Sequence, residues 1–409
     1  MTPARRLIQR IVATTDVHSA FDTAVPMLAY LHAARQDGAL VVDCGDFFEG
    51  TGYYRLGRGR IERDILLRLY DVIAPGNHGW PHYFEPGLHR ITVCANAVDS
   101  KTGKPLFPTL RLIRVGPRRV AVTGIISPQA FNAIPVGQRA GHHVLEPVGA
   151  LRELLLAHHH EVDSWVVLSH SGFDEDLGLA KSCPFLDVVF AGHCHSDRPA
   201  PVRVGDTVIL KGRELATGYA LVQPLDTSWA SRVADFPPAS VVPQDLYPFR
   251  RSLASWQQKL RLPLGTLRLP YRKGPLDRRA LAWDLVERLH HGPSSLGAEV
   301  VVLNETAFRS PHLGTTLSQG DLLAIEPFGN DLVHAHVPDP YVANPAALLT
   351  HLAERAGPIV SAPFPLPDRM PIVLTTSYLA DAYVGGRIQR TGTSLSQAVQ
   401  RTLTDGESR

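Results

Sequence analysis

Features that would mark several specialised protein classes are scarce in this 409-residue sequence. It has 4 cysteines, too few for a disulfide scaffold. Lys and Arg total 41 against 39 Asp and Glu, and the net charge of +2 argues against a nucleic acid polymer as the partner. No apolar run approaches the roughly 18 residues of a membrane-spanning helix, and the N-terminal residues lack the apolar segment of a secretory signal. We therefore expect a cytoplasmic protein that has no membrane partner.

Histidine is the residue type whose placement is informative. Several of the 19 histidines come directly after short Val/Ile/Leu-rich runs, where a turn begins. Such runs predict strands buried on both faces, and side chains just beyond neighbouring strands converge at one edge of a sheet. Five runs deliver polar side chains in this way, and these are Asp16 and His18, Asp46, Asn77 and His78, His170, and His193 with His195.

This set of side chains predicts a centre for two divalent metal ions. Asp46 would bridge the ions, because a carboxylate can bind two metals that lie about 3.5–4 Å apart. The other ligands form one set for each ion, namely Asp16, His18 and His195, and Asn77, His170 and His193. Mixed nitrogen and oxygen ligands suit Mn, Zn, Fe or Co, whereas Ca prefers oxygen alone.

The motifs DVH, GD, GNH, SHSG and GHCH, in this order, resemble those of the calcineurin-like metallophosphoesterases. The resemblance implies an α/β fold in which helices flank a β-sandwich. It also implies a phosphate ester as the substrate, and a water activated by the two metals as the attacking group. Asn77 and His78 are then expected to be catalytic, with His78 stabilising or protonating the leaving group.

Two positions depart from the family pattern. Family members usually carry an aspartate three residues after the GNH histidine, and this aspartate orients the histidine; here the position holds Pro81. Ala20 stands where many 5′-nucleotidases have Arg or Asn near the phosphate. Either Glu85 or His82 could take over the role of the missing aspartate.

A second αβ pattern begins at about residue 265, so we expect a metallophosphoesterase domain over 1–225, a linker with a hinge helix over 226–264 and a smaller α/β domain over 265–409. Helices are predicted there over 277–290, 319–325, 345–356 and 395–403. Residues 301–309, 320–332 and 377–381 resemble the C-terminal nucleotide-binding domain of the 5′-nucleotidases. The resemblance implies that Phe328 and Tyr378 stack on a base. The other residues that it places on the nucleotide are Asn304, Arg309 and Asp381.

These expectations favour a dinuclear metal phosphatase that hydrolyses a nucleoside 5′-monophosphate, such as a modified nucleotide of a biosynthetic pathway. The small-molecule nucleotide is then the expected partner. Two alternatives stay open. One is a phosphodiesterase that acts on cyclic or sugar nucleotides, because the same two-metal core serves both reactions. The other is a catalytically weak nucleotide-binding pseudoenzyme, which Pro81 and Ala20 would explain.

Overall fold

The computed structural model describes residues 6–194, 201–291 and 296–404. The chain divides into two compact units. The first unit contains Glu49 and the residues before it together with Leu56–Ser255, and the second contains Gly50–Arg55 together with Trp256 and the residues after it. The division after Ser255 falls within the predicted hinge helix. The predicted ligand His195 lies outside the described residues.

Strands and helices alternate along the first unit. Its strands are β1 (Arg10–Thr14), β2 (Ala39–Asp43), β3 (Val72–Ile73), β4 (Ala97–Asp99), β5 (Leu110–Val115), β6 (Arg118–Ile126), β7 (His142–Val144), β8 (Ser164–His170), β9 (Val188–Ala191), β10 (Val202–Val204), β11 (Thr207–Lys211), β12 (Gly218–Pro224) and β13 (Trp229–Asp235). The helices of this part of the chain are α1 (Ala24–Gln36), α2 (Gly52–Gly57), α3 (Arg60–Leu69), α4 (Pro86–Ile91), α5 (Pro128–Ala133), α6 (Pro147–His158), α7 (Phe173–Ser182) and α8 (Tyr247–Leu260). Helices α2 and α8 contain residues of both units.

Two sheets form the centre of the first unit, with strand orders β13-β12-β1-β2-β3 and β10-β11-β9-β8-β6-β5. Buried side chains from both sheets, such as Ile11 and Val42 of one and Val166 and Leu210 of the other, belong to one apolar core. Helices α6 and α7 pack on the opposite face of the six-stranded sheet. The first unit is therefore the predicted β-sandwich flanked by helices, held together by apolar surface that both sheets remove from water.

One strand lies where the sequence predicted a linker. Strand β13 pairs antiparallel with β12, from Gly218 opposite Asp235 to Pro224 opposite Trp229. Trp229 is 3% exposed, but the rest of the strand is partly or fully exposed, because β13 is the edge of its sheet. An exposed edge strand has a weak apolar pattern, which explains why the sequence indicated an irregular segment.

The second unit is built around one mixed sheet. Its strands are β14 (Pro263–Thr266), β15 (Gly274–Pro275), β16 (Val301–Asn304), β17 (His312–Leu313), β18 (Thr316–Ser318), β19 (Asp331–His336), β20 (Ile359–Ala362), β21 (Ile372–Thr376) and β22 (Ile388–Ser394). Its helices are α9 (Arg278–His291), α10 (Gln319–Ile325), α11 (Asp339–Val342), α12 (Pro345–Ala356), α13 (Ser377–Leu379) and α14 (Leu395–Leu403).

The central sheet of the second unit has the order β20-β16-β21-β19-β22. Helices α9 and α14 cover one of its faces and α12 covers the other. This is the smaller α/β architecture that the sequence predicted, and the helices predicted over 319–325, 345–356 and 395–403 have those bounds. Among the described helices of the chain, none combines the length and the hydropathy that a bilayer-crossing segment needs.

Candidate metal centre

The predicted metal ligands other than His195 lie at or just beyond the carboxyl ends of parallel strands. In the five-stranded sheet β1, β2 and β3 are parallel neighbours, and in the six-stranded sheet β8 and β9 are. The strands and their ligands, in chain order, are β1 with Asp16 and His18, β2 with Asp46, β3 with Asn77, β8 with His170 and β9 with His193. Because the two sheets are packed face to face, these strand ends deliver the ligands to one place.

The turns that carry these ligands have unusual backbone conformations. The φ angles of Asp16, His18, Asp46 and His193 are 49°, 49°, 54° and 74°, in the left-handed region that costs roughly 1–2 kcal/mol per non-glycine residue. A Cβ atom on Gly76 would lie 2.1 Å from Oδ1 of Asp46, so only glycine allows this close approach of the two loops. Strain concentrated at one place is typical of a functional site.

Asp46 lies between two groups of possible metal ligands. Its Oδ2 atom is 3.2 Å from Nε2 of His170 and 3.8 Å from Nε2 of His18. Ligand atoms of Asp46, His170 and His193 all lie within 4.8 Å of one another, and the same holds for His18, Asp46 and His78. The carboxylate shared by both groups is the one that the sequence predicted as the bridge.

Asn77 joins the group on the His170 side. Its Oδ1 atom is 3.1 Å from Nε2 of His170 and 3.0 Å from Nδ1 of His193. Nδ1 of His170 lies 2.8 Å from the carbonyl oxygen of Cys44, so that contact orients the ring and turns Nε2 towards Asp46 and Asn77. A ring held at one nitrogen by a backbone carbonyl is the usual arrangement of a metal-binding histidine.

The donor set fits two divalent ions. Imidazole nitrogens and carboxylate oxygens are combined, which suits Mn, Zn, Fe and Co. Asp16, Asp46 and His170 are each at most 2% exposed. Burying this much charge is costly unless a counter-charge accompanies it. Asp16 lies beside the ligand group that contains His193, because its Oδ1 accepts a hydrogen bond of 3.0 Å from the backbone nitrogen of His193.

The electrostatics of the centre couple metal binding to protons. Burial acts to raise the pKa of Asp46, but the facing imidazoles of His170, His78 and His18 hold it well below its usual range. Burial acts to lower the pKa of His170, but the carboxylates of Asp46 and Asp16 raise it to about 9. The imidazole must give up its proton before it can bind a metal, so we expect ion binding to release protons.

His78, the predicted catalytic histidine, is held from two directions. Its backbone N–H donates a hydrogen bond of 2.8 Å to Oδ1 of Asp46. Its ring nitrogen Nδ1 lies 2.9 Å from Oε2 of Glu49. The Glu85 carboxylate, one of the two substitutes considered from the sequence, instead pairs with His82, at 2.7 Å between Oε1 and Nδ1. The sequence missed Glu49, although this residue follows the GD motif by only three positions.

In the second unit, Phe328 lies on the loop before β19 and Tyr378 lies in α13, and hydrogen bonds join these two segments. The backbone N–H of Tyr378 donates to Oδ1 of Asn330 at 3.3 Å, and the backbone N–H of Asp331 donates to Oγ of Ser377 at 3.2 Å. The aromatic residues are 43% and 38% exposed. Large aromatic side chains held at the surface in this way are available to stack on a ligand.

The other three predicted substrate residues differ in their surroundings. The guanidinium of Arg309 lies 5.4 Å from the ring centroid of Phe328, so the structure brings these two residues together. Asp381 is exposed, in a short π-helical turn at Ala380–Val384. Asn304 is buried, and its Nδ2 donates to Oγ1 of Thr306 at 2.6 Å. The amide nitrogen of Asn304 therefore ties its own loop together, and its contact with substrate stays a prediction.

Most of the first unit is similar to known proteins. The family model for calcineurin-like phosphoesterases matches residues 9–197. The match covers a little under half of the chain. The apyrase of Aedes albopictus is 28% identical over 178 residues, which are 40% of this chain and 31% of the apyrase. The matched region thus spans about a third of that relative's length.

Solved structures resemble the chain over nearly its whole length. The 5′-nucleotidase precursor from Thermus thermophilus superimposes with a TM-score of 0.72 at 18% identity, covering 97% of this chain and 96% of that one. The sulfate thiohydrolase SoxB of the same organism gives a TM-score of 0.69 at 20% identity, covering 98% and 95%. At these identities the likeness shows a common two-domain fold.

The first unit contains a buried cation, Lys211, that was not among the residues predicted from the sequence. Lys211, the last residue of β11, is 4% exposed and forms an ion pair with Glu214. Burial raises the pKa of Asp16, and the charge of Lys211 acts against this rise. Oγ1 of Thr15 donates to Oδ2 of Asp16 at 2.5 Å. A signal was present, because Lys211 follows a buried Val-Ile-Leu run just as the metal ligands follow theirs.

Proposed function

We propose that this chain is a metal-dependent phosphomonoesterase that releases phosphate from a nucleoside 5′-monophosphate. The observation that carries the proposal is the pair of ligand groups sharing Asp46, with Asn77 and His78 beside them. Such an arrangement suits hydrolysis of a phosphate ester, in which the transferred group carries several negatively charged oxygens. No serine or cysteine nucleophile is needed.

Two bound ions would supply positive charge for the phosphoryl oxygens and would lower the pKa of a water. Asp46 would contact both ions, with His170, His193 and Asn77 on one side and His18 on the other. The side-chain N–H of Asn77 would donate to a phosphoryl oxygen. His78 would stabilise the leaving oxygen or, as an imidazolium, give it the Nε2 proton and keep the Nδ1 proton that faces Glu49.

The second unit supports a nucleotide rather than a simple phosphate ester. Phe328 and Tyr378 offer exposed aromatic faces from two hydrogen-bonded segments, and stacking on a base is worth about 1–3 kcal/mol. Arg309 beside Phe328 would add a cation for a phosphate or ribose oxygen. The names of the similar proteins, apyrase and 5′-nucleotidase, agree with this substrate class.

A phosphate-release screen tests the proposal. The purified chain is stripped of metal, reloaded with Mn, Zn, Co or Mg, and assayed with matched nucleoside 5′- and 3′-monophosphates, cyclic nucleotides and sugar nucleotides. We expect release from 5′-monophosphates to exceed that from the 3′ isomers. Cleavage confined to cyclic or sugar nucleotides would replace the proposal with a phosphodiesterase. Nucleotide binding without turnover under every metal would replace it with a pseudoenzyme.

A further inference from the structure

We propose that Glu49 is the positioning residue of His78, in place of the family aspartate whose position Pro81 occupies. This inference rests on the proposed function, because it assigns His78 to the leaving group. It concerns a residue three positions beyond Asp46, on the loop that follows β2, whereas the family residue would come from the loop that carries His78 itself.

The geometry holds His78 at two atoms. Oε2 of Glu49 lies 2.9 Å from Nδ1 of the ring, and Oδ1 of Asp46 accepts the backbone N–H at 2.8 Å. Both partners come from the loop after β2, so the ring and the backbone of His78 are held by one segment. The ring edge also packs on His18, with 5.0 Å between centroids and 79° between planes.

The hydrogen bond has a direct consequence for the other ring nitrogen. A carboxylate that accepts the proton of Nδ1 holds the ring in one orientation and stabilises the imidazolium, in which Nε2 also carries a proton. Nε2 is then the atom presented towards the leaving oxygen. After Nε2 gives up its proton, the ring is left as the neutral form that keeps the Nδ1 proton facing Glu49. The side chains of His78 and Glu49 are 21% and 28% exposed, so the bond is partly shielded from water and competes well with solvation.

The backbone of Glu49 is a second sign that its position is imposed by its surroundings. Its φ angle is 63°, a left-handed conformation that is uncommon for glutamate. Glu49, whose side chain contacts His78, therefore adopts a slightly unfavourable backbone conformation. Asp46, on the same loop, shows the same conformation, with φ of 54°.

A neighbouring pair provides a matched control. Nδ1 of His82 lies 2.7 Å from Oε1 of Glu85, and the ring of His82 stacks on Phe48 at 4.6 Å between centroids. Glu85 also lies 3.5 Å from the guanidinium of Arg63. This pair has the same chemistry as Glu49 with His78 but is not part of either ligand group. Removing its carboxylate should therefore leave turnover unchanged.

The experiment compares Glu49→Ala, Glu49→Gln and the control Glu85→Gln, each checked for folding by thermal unfolding and for metal content by elemental analysis. We expect Glu49→Ala to lower kcat on the order of 10–100-fold, the usual cost of removing an outer partner of a functional histidine. KM should change little. Glu49→Gln should retain part of the activity, because an amide oxygen can still accept from Nδ1.

Two further readouts separate positioning from a structural role. With phenyl phosphate, whose leaving group needs a proton, the loss should exceed that with 4-nitrophenyl phosphate by about tenfold. In a His78→Ala background, Glu49→Ala should cost nothing more, because the two residues act as one unit. Equal losses on both esters, or losses that add to that of His78→Ala, would overturn the inference.

A readout without turnover distinguishes this inference from the proposed function. In the wild-type protein labelled with ¹⁵N-histidine, the ring signals of His78, assigned with His78→Ala, should show a proton on Nδ1, and Glu49→Ala should shift them while Glu85→Gln should not. If the signals respond but no phosphate ester is hydrolysed, Glu49 positions His78 and the proposed function fails. If Glu49→Ala leaves the ring signals of His78 unchanged, the positioning role is refuted, whether or not the protein hydrolyses a phosphate ester.

Discussion

Replacement of Asp46 by asparagine is the most direct test of the metal centre. The substitution keeps the size and shape of the side chain, and the amide oxygen can still accept the 2.8 Å hydrogen bond from the backbone of His78. It removes the negative charge that faces His170 at 3.2 Å and His18 at 3.8 Å. The change therefore isolates the role of a carboxylate that is shared by two ligand groups.

The magnitude follows from the position of Asp46 in both groups. Loss of an outer partner of a metal ligand costs about 10–100-fold in metal affinity or activity. Asp46 is itself a predicted ligand of both ions, so Asp46→Asn should exceed that range and should lower the occupancy of both sites together. It should also lower the pKa of His170, because the facing Asp46 carboxylate helps to raise it to about 9.

Asp43→Asn is the matched control. Asp43 is 1% exposed and is the last residue of β2, three positions before Asp46, and its Oδ2 accepts from Oγ1 of Thr14 at 2.5 Å. Burial raises the pKa of Asp43 to about 8, whereas that of Asp46 is held well below its usual range, so a neutral amide changes the charge less at Asp43 than at Asp46. Elemental analysis and phosphate release are measured on both variants. A full complement of two ions in Asp46→Asn, or equal losses in the two variants, would refute the assignment of Asp46 as the bridge.

Three further predictions concern base recognition, the leaving group and stability. Phe328→Ala and Tyr378→Ala should each weaken nucleotide binding, measured by calorimetry, by about 1–3 kcal/mol. They should leave the hydrolysis of an aryl phosphate unaltered. Equal losses on both substrates would mean that the two aromatic residues support the fold. His78→Ala should lower kcat on the order of 10–10³-fold, and a harmless substitution would deny it a catalytic role. Burial raises the pKa of Asp176 to about 8, despite a 2.5 Å hydrogen bond from Ser169. Because the folded-state pKa lies above the unfolded value, this carboxyl makes the free energy of unfolding fall as pH rises from about 4 to about 8, by up to about 1.4 kcal/mol per unit. Asp176→Asn should remove this share of the pH dependence in urea unfolding at pH 5 and pH 8, and the share of Asp43, whose pKa burial also raises to about 8, should remain.

The elements with strong local signals were predictable. The helix predicted over 319–325 has those bounds, and Ser318 and Asp321 form a capping box at its start. The buried runs before Asp46, His170 and His193 read as strands because they are short, apolar and followed by turn residues. In contrast, β13 is an exposed edge strand that depends on pairing with β12, and its own residues indicate a linker.

The sequence by itself determined which chemistry this protein carries. Ligand-type residues after buried strands predict a shared metal centre, because parallel strands that pack in two facing sheets bring their ends together. Only the tertiary structure decided which carboxylate contacts the ring of His78. Glu49 and His78 are 29 residues apart, and a hydrogen bond between two loops leaves no periodicity in either. The tertiary structure also decided that the amide nitrogen of Asn304 is bonded to Thr306 within its own loop. Strand patterns arise from local burial, whereas such pairings depend on how loops from separate strands meet.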